Sequence, residues 1–236
     1  MHFHLPKPLH GWREFAGEVG IIVLGVLIAL TAEQAVEAVH WRGEVAAERA
    51  SLLQEAADMN TAIEVRRTQQ PCIDRRLREI RDVLERHPRG EPLGLVGQIG
   101  APIRETASRG TWQIALAGQA LAHMPHDEKL AFSGAFGGFD YWDAAADKEA
   151  DDWQRLTVLN EPDLITDEGW STIPAAYTAA VVENDRMRIL APWMVDEDRR
   201  LLPGIAKYRS SDNMSRFRSL LSQICKPILA PSGKAS

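Results

Sequence analysis

Two imidazoles and a carboxylate lie close together in His123-Met124-Pro125-His126-Asp127. To hold a metal, one helix would have to carry both rings on one face. Pro125 interrupts that helix, so the string reads as one helix ending and an acid-rich helix beginning. His2, His4 and His10 form a second, looser group in the N-terminal tail. Asp140, Asp143, Asp147 and Asp151 are spaced 3, 4 and 4 and so share one helix face. Hard cations want oxygens converging from a loop rather than a straight row. The row therefore reads as a solvated acidic face, or as one that meets a basic stretch elsewhere. That stretch is Arg66, Arg67, Arg75, Arg76, Arg78, Arg81, Arg86 and Arg89. It could dock an anionic partner, but Arg75–Glu79, Arg78–Asp82, Arg81–Glu85 and Asp82–Arg86 all stand at i,i+4. Such pairs describe an exposed helix laced with ion pairs. Gly134-Ala135-Phe136-Gly137-Gly138 lacks the Lys and Ser/Thr of a phosphate loop and reads as a bend. No nucleophile elbow, H-E-x-x-H helix or kinase motif set occurs. The expectation is no catalytic residue, no cofactor and no metal site marked by a local motif. An active site assembled from distant residues would leave no such string.

The elements that position these groups begin with an apolar run. Val19 to Ala32 has no charge and no polar face, yet covers only about 21 Å of helix. It extends to a 15–36 span if Glu18 and Glu33 sit at the two membrane interfaces. Trp12 and Trp41 then bracket it, about 43 Å apart along a helix, close to the full thickness of a bilayer with its headgroups. Leu30, two residues before Ala32, does not fit the small-residue pattern of a cleaved signal. Lys7 and Arg13 before the run, and Arg42 and Arg49 after it, leave the positive-inside count nearly tied.

The string Gly17-Glu18-Val19-Gly20-Ile21-Ile22-Val23-Leu24-Gly25-Val26-Leu27-Ile28-Ala29-Leu30, followed by Glu33-Gln34, resembles the N-terminal signature of a family of small bacterial single-span membrane proteins with no assigned activity. The resemblance covers roughly residues 9–42. It implies an inner-membrane protein whose short N-terminal tail is cytoplasmic and whose C-terminal domain is periplasmic.

Beyond the span, residues 31–70 contain no Pro, one Gly, and many Ala, Glu, Arg and Leu. Val45, Leu52, Ala56, Met59 and Ile63 form an apolar stripe of nearly heptad period. Its partner is either the chain's own later helices or a second copy. One helix is expected from Trp12 to Gln70, ended by Pro71. A second runs from Cys72 to Arg86, followed by a Gly/Pro-rich connector from Pro88 to Pro102. Further helices are expected at 105–123, 126–158 (broken near Gly134), 170–200 and 211–225. The fold class is therefore all-α, organised as a 1–14 tail, a 15–36 transmembrane helix, a 37–70 stalk helix, a 71–230 helical bundle and a loose 231–236 tail. A hydrophobic fraction of 45% and a charged fraction of 25% suit a folded domain, and a net charge of −6 disfavours a nucleic-acid partner.

The two cysteines, Cys72 and Cys225, are not a C-x-x-C pair. With the domain in the oxidising periplasm they would form one intramolecular disulfide; otherwise they are two small buried hydrophobes. The expected partners are the lipid bilayer and either a second copy or another envelope protein. The primary functional expectation is a membrane-anchored protein acting through protein contacts. The alternatives are a ligand-binding sensory module with a separate signalling partner, and an anchored enzyme.

Ala16 and Gly20 are four apart, as are Gly25 and Ala29, and small residues at that spacing let two membrane helices approach closely. Weak self-association of the span is expected. In a membrane dimerisation reporter, Gly25→Leu should reduce the signal, and an unchanged signal would remove this face as a contact.

Overall fold

The computed structural model describes residues 11–208 and 223–230. Among these the protein is all-α, with a single isolated bridge between Leu95 and Leu229. The elements are α1 (Trp12–Arg86), α2 (Gly110–Ala117), α3 (Ala120–His123), α4 (His126–Leu156) and α5 (Asp167–Leu201), with short 3-10 turns at His87–Arg89, Thr157–Asn160, Pro162–Leu164 and Ile205–Tyr208. Residues 1–48 and 49–236 form two compact units.

In the first unit, residues 12–40 are exposed on every side of the helix. This stretch is long and apolar enough to cross a membrane, and none of its most apolar window is buried within the protein.

The second unit is built on three helices whose directions follow from their side-chain contacts. Arg49 pairs with Glu128 and Arg66 with Glu149, so α1 and α4 run parallel. Lys148 meets Glu183, and Gly138 lies against Met194, so α5 returns antiparallel to α4. Phe132, Phe136, Phe139 and Trp153 of α4 fill the interior with Met187 and Met194 of α5. Against them stand Leu52, Ala56, Met59 and Ile63 of α1, all fully buried. The part of the heptad stripe from Leu52 to Ile63 is thus covered by the chain's own later helices.

Two expected breaks do not occur. The helix does not stop at Pro71, and the expected 12–70 and 72–86 helices are one. Proline removes one backbone bond and crowds the preceding turn, at about 3 kcal/mol. Pro71 is exposed, so the carbonyl it leaves unpaired can turn to water. Ile63, Val65, Ile73 and Leu77 on either side are buried, and each such side chain contributes about 1.5–3 kcal/mol, so burial outweighs the proline. Likewise α4 passes unbroken through Gly134, Gly137 and Gly138, because Phe132, Phe136 and Phe139 hold the turn in the core. Pro174 and Pro192 also lie inside α5. The expected 105–123 helix is shorter, resolved into α2 and α3, and most of the expected 211–225 helix lies outside the described residues.

The connector after α1 is pinned by the C-terminal segment. Val96 N–H donates to the Ile228 carbonyl at 2.8 Å, and Ala230 N–H to the Gly94 carbonyl at 3.2 Å. Glycine is needed at 97, where a Cβ would stand 2.9 Å from the Pro227 carbonyl oxygen. The sulfurs of Cys72 and Cys225 stand at bonding distance, with Cα atoms 4.8 Å apart and 153 positions between them in sequence. They flank a cluster that includes Ile73, Ile80, Ile99, Trp153, Ile224 and Ile228. Loop-closure entropy for a link of this length amounts to about 5 kcal/mol, from which native-state strain subtracts. Replacing both cysteines by serine should lower the unfolding free energy by about 2–5 kcal/mol in chemical denaturation. An unchanged denaturation midpoint would show that the link adds nothing to stability.

Candidate functional site

Three arrangements stand out in the second unit: an interior polar network, a guanidinium clamp, and an apolar cleft. The network centres on Arg66, which is only 5% exposed. Its Nε donates to Glu149 Oε2 at 2.9 Å and its Nη2 to Glu149 Oε1 at 2.6 Å, a two-pronged carboxylate contact. The remaining donors reach Asn184 Oδ1 and Gln70 Oε1, each at 3.0 Å. Gln70 and Asn184 both donate to Asp74 Oδ1, at 2.7 and 3.1 Å. A second layer follows along α4 and α5. Lys148 bridges Asp152 at 3.1 Å and Glu183 at 2.8 Å, and these hydrogen bonds hold the Lys148 ammonium above its usual range. Arg186 joins Glu183 to the Tyr141 hydroxyl.

The chemistry open to this network is limited by space. The cavity beside Arg66 and Glu149 measures 20 Å³, room for about one water. A substrate does not fit there, and the network's role is to satisfy buried charge.

Arg76 forms the clamp. It is 1% exposed, and burial draws its guanidinium below the ordinary value while Glu79 opposes that shift. It donates to the backbone carbonyls of Gln98 at 2.8 Å, Ile224 at 3.2 Å and Lys226. Arg75 donates to the Cys225 carbonyl beside it. Two arginines of the expected exposed stretch, Arg66 and Arg76, are therefore buried. Of the four i,i+4 pairs expected there, Arg81–Glu85 is formed, at 2.9 Å.

The acidic row has partners of its own. Arg109 pairs with Asp140 and Asp143, and Arg104 with Asp143 and Asp147, both at 2.7 Å. Asp140, Asp143 and Asp147 thus meet the two arginines ahead of α2 rather than the basic stretch. His123 ends α3 and His126 begins α4 on either side of Pro125, as the proline requires. Among the described residues no group of three or more His, Cys, Asp or Glu could hold a metal ion. His2, His4 and His10 lie outside the described residues.

In the first unit, Trp12 is 79% exposed, and Trp41 Nε1 donates to Glu37 at 3.2 Å. Ala16, Gly20, Gly25 and Ala29 are all exposed, and a Cβ on either glycine would meet nothing within 4 Å. That face is open to a neighbour.

The cleft, of 760 Å³, lies between the turns after α4 and the first turns of α5. Val158, Leu164, Ile173 and Ala176 make its apolar wall, with Arg155 and Glu161 as its charged groups. Thr166 and Thr172 also line it, but their hydroxyls are engaged with the amide and carbonyl of Gly169 at the start of α5. The cleft offers shape and apolar surface rather than a nucleophile and base.

Gln69 and Glu55 went unmarked in the sequence, and Arg66 and Arg76 were read there as part of an exposed basic stretch, although their positions carried a further signal. Continuing the stripe of Leu52, Ala56, Met59 and Ile63 by steps of three and four reaches Arg66, Gln69, Ile73, Arg76 and Ile80. Polar residues in core register must find internal partners. Gln69 does so by exchanging two hydrogen bonds with the Ile103 backbone, at 2.6 and 3.0 Å. Glu55, beside the stripe, accepts the Thr111 and Trp112 amides at 2.9 and 2.8 Å and so caps α2 from another helix. No family model matches the chain, and no curated protein or solved structure is significantly similar to it.

Removing one partner of a buried ion pair leaves the other charge unmatched, at about 3–5 kcal/mol. Arg66→Ala and Glu149→Ala should each destabilise the protein by that amount in chemical denaturation. Arg66→Met combined with Glu149→Leu should be milder than either single change. If the double variant is worse than both, the pair contributes net stability rather than register.

Proposed function

We propose that this chain is a single-span protein of the bacterial inner membrane, with its N-terminus in the cytoplasm and its helical domain in the periplasm, acting through contacts with other envelope proteins. The unburied apolar helix supports the anchor. The pairing of Cys72 with Cys225 supports an oxidising compartment for the domain, since such links persist outside the cytosol.

The observation that carries the contact reading is a stripe on α5. Val182, Ile189 and Trp193 are 56%, 68% and 60% exposed and recur at helical spacing. Met187, Ala191 and Met194 of the same helix already supply its core face, so this stripe is additional to what the fold requires. Large apolar side chains gathered on one exposed face mark a contact surface, and Trp is among the residues that dominate such contacts.

The cleft favours a second reading, a ligand-binding module whose signal is passed on by a partner. Its apolar wall and few charged groups suit a small amphipathic molecule.

Membranes washed with alkaline carbonate should retain the protein, and a reporter active only in the periplasm, fused after Ser236, should be active. Recovery in the wash, or an inactive reporter, overturns the anchor or the topology respectively. A photo-crosslinking residue at position 193, in native membranes, should yield a defined adduct with another envelope protein or with a second copy. A crosslink pattern unchanged when the probe is moved to a charged exposed site such as Asp185 would remove the α5 stripe as the contact.

A further inference from the structure

Two groups of opposite sign, Arg155 and Glu161, line the apolar cleft at the start of α5. Among the described residues they form no ion pair with each other. Arg155 reaches Asp152 Oδ1 at 3.5 Å, and Asp152 is already held by Lys148 at 3.1 Å. A guanidinium has five N–H donors, so most of those on Arg155 are left for another acceptor. Glu161 commits its backbone to the turn, giving its N–H to the Val158 carbonyl and taking the Leu164 N–H, at 3.2 and 3.0 Å. Its carboxylate joins no ion pair among the described residues.

The rest of the cleft is apolar. Leu164 and Val158 are 79% and 47% exposed, and the buried Ile173 and Ala176 complete the wall. That wall is fixed in place by its own contacts. Ile165 Cγ2 packs so closely on Gly169 that a Cβ there would stand 2.9 Å from it, and Thr166 caps α5 by accepting the Gly169 amide at 3.2 Å. The volume of 760 Å³ falls within the roughly 300–1,000 Å³ of pockets that take small ligands.

One ligand that satisfies both charges carries an anion and a cation on an apolar body, and the chain sets how far apart they stand. α4 passes directly into the turn at Thr157–Asn160, and Glu161 follows that turn. Helical rise over this stretch separates the Arg155 and Glu161 backbones by about 9–12 Å. A single amino acid holds its two charges on one carbon, and an ethanolamine headgroup holds them across two carbons. Three extended residues span about 10 Å. Taking the cleft as a ligand site, as the second functional reading has it, we infer that it binds a short apolar peptide with both termini free. The peptide carboxylate lies on the Arg155 guanidinium, whose planar fork suits two parallel bonds to it. The peptide ammonium lies on Glu161, and the peptide side chains cover Val158, Leu164 and Ile173.

The test uses the full chain in phosphatidylglycerol nanodiscs, titrated calorimetrically with trileucine against empty nanodiscs. Trileucine should bind, and its N-acetyl and C-amide forms, each lacking one charge, should bind about tenfold more weakly or worse. Arg155→Gln should weaken trileucine to the same degree and no longer distinguish it from the C-amide. Glu161→Gln should cease to distinguish it from the N-acetyl form. Arg155 is exposed and Asp152 keeps Lys148, so a merely structural effect is not expected, and one would weaken all three peptides alike. Ala175→Trp, at an exposed position lining the cleft, should abolish binding. Equal binding of the three peptides, or all three weakened alike in the two charge variants, would overturn the peptide inference and leave the cleft as a ligand site. Binding that survives Ala175→Trp would place the peptide elsewhere and overturn it too. If no peptide binds, the inference falls, and lysophosphatidylethanolamine then decides the cleft itself. Its binding, lost in Ala175→Trp, would keep the ligand-site reading with a lipid in place of the peptide, and its failure would remove that reading as well.

Discussion

A guanidinium taken out of water keeps its charge and five N–H donors, and the interior must answer all of them. The second unit contains two such groups on one helix, Arg66 and Arg76, and the other elements are arranged around their requirements. Arg66 draws Glu149 from α4 and Asn184 from α5, so these helices have one register on α1 in which the donors are met. Sliding α4 by a turn would move the carboxylate about 5.4 Å and strand both charges. Arg76 fixes the irregular parts in the same way, drawing carbonyls from the connector and from the C-terminal segment. Neither segment forms a helix or sheet that could satisfy those carbonyls internally.

Stability and register thus come from different sources. Apolar burial along α1, α4 and α5 supplies the drive to fold, and it is strong enough to carry α1 through Pro71 and α4 through three glycines. Burial alone is indifferent to small shifts of one apolar helix along another, whereas hydrogen-bonded charges are directional. The Cys72–Cys225 link acts at the end where packing is least regular, beside the Arg75 and Arg76 contacts to the same C-terminal residues. Covalent and polar ties there converge on residues 223–230, which form turns and one bridge rather than a helix.

The surfaces left over are where function would be found. The interior network has no space for a substrate, and the cleft has apolar walls without a reactive pair. An exposed stripe on α5, and small residues open on the apolar helix, are both surfaces suited to another helix or protein.

The all-α class and the apolar helix could be read from the sequence because they depend on local periodicity and composition. Residues 19–32 are apolar in every direction, and no partner is needed to know it. The stripe of Leu52, Ala56, Met59 and Ile63 was equally visible, since helical spacing alone places those side chains on one face. The continuation of α1 through Pro71 was not visible, because local propensity argues for a stop and only the burial of Ile63, Ile73 and Leu77 by distant helices overrides it. The roles of Arg66 and Arg76 divide the same way. Their position on the stripe was written in the sequence, but i,i+4 neighbours suggested an exposed, self-paired face. Only the fold brings Glu149 and the Ile224 carbonyl to them from far along the chain. Periodicity fixes which way a side chain points; what it meets there depends on chain-distant groups, and that information is carried by packing.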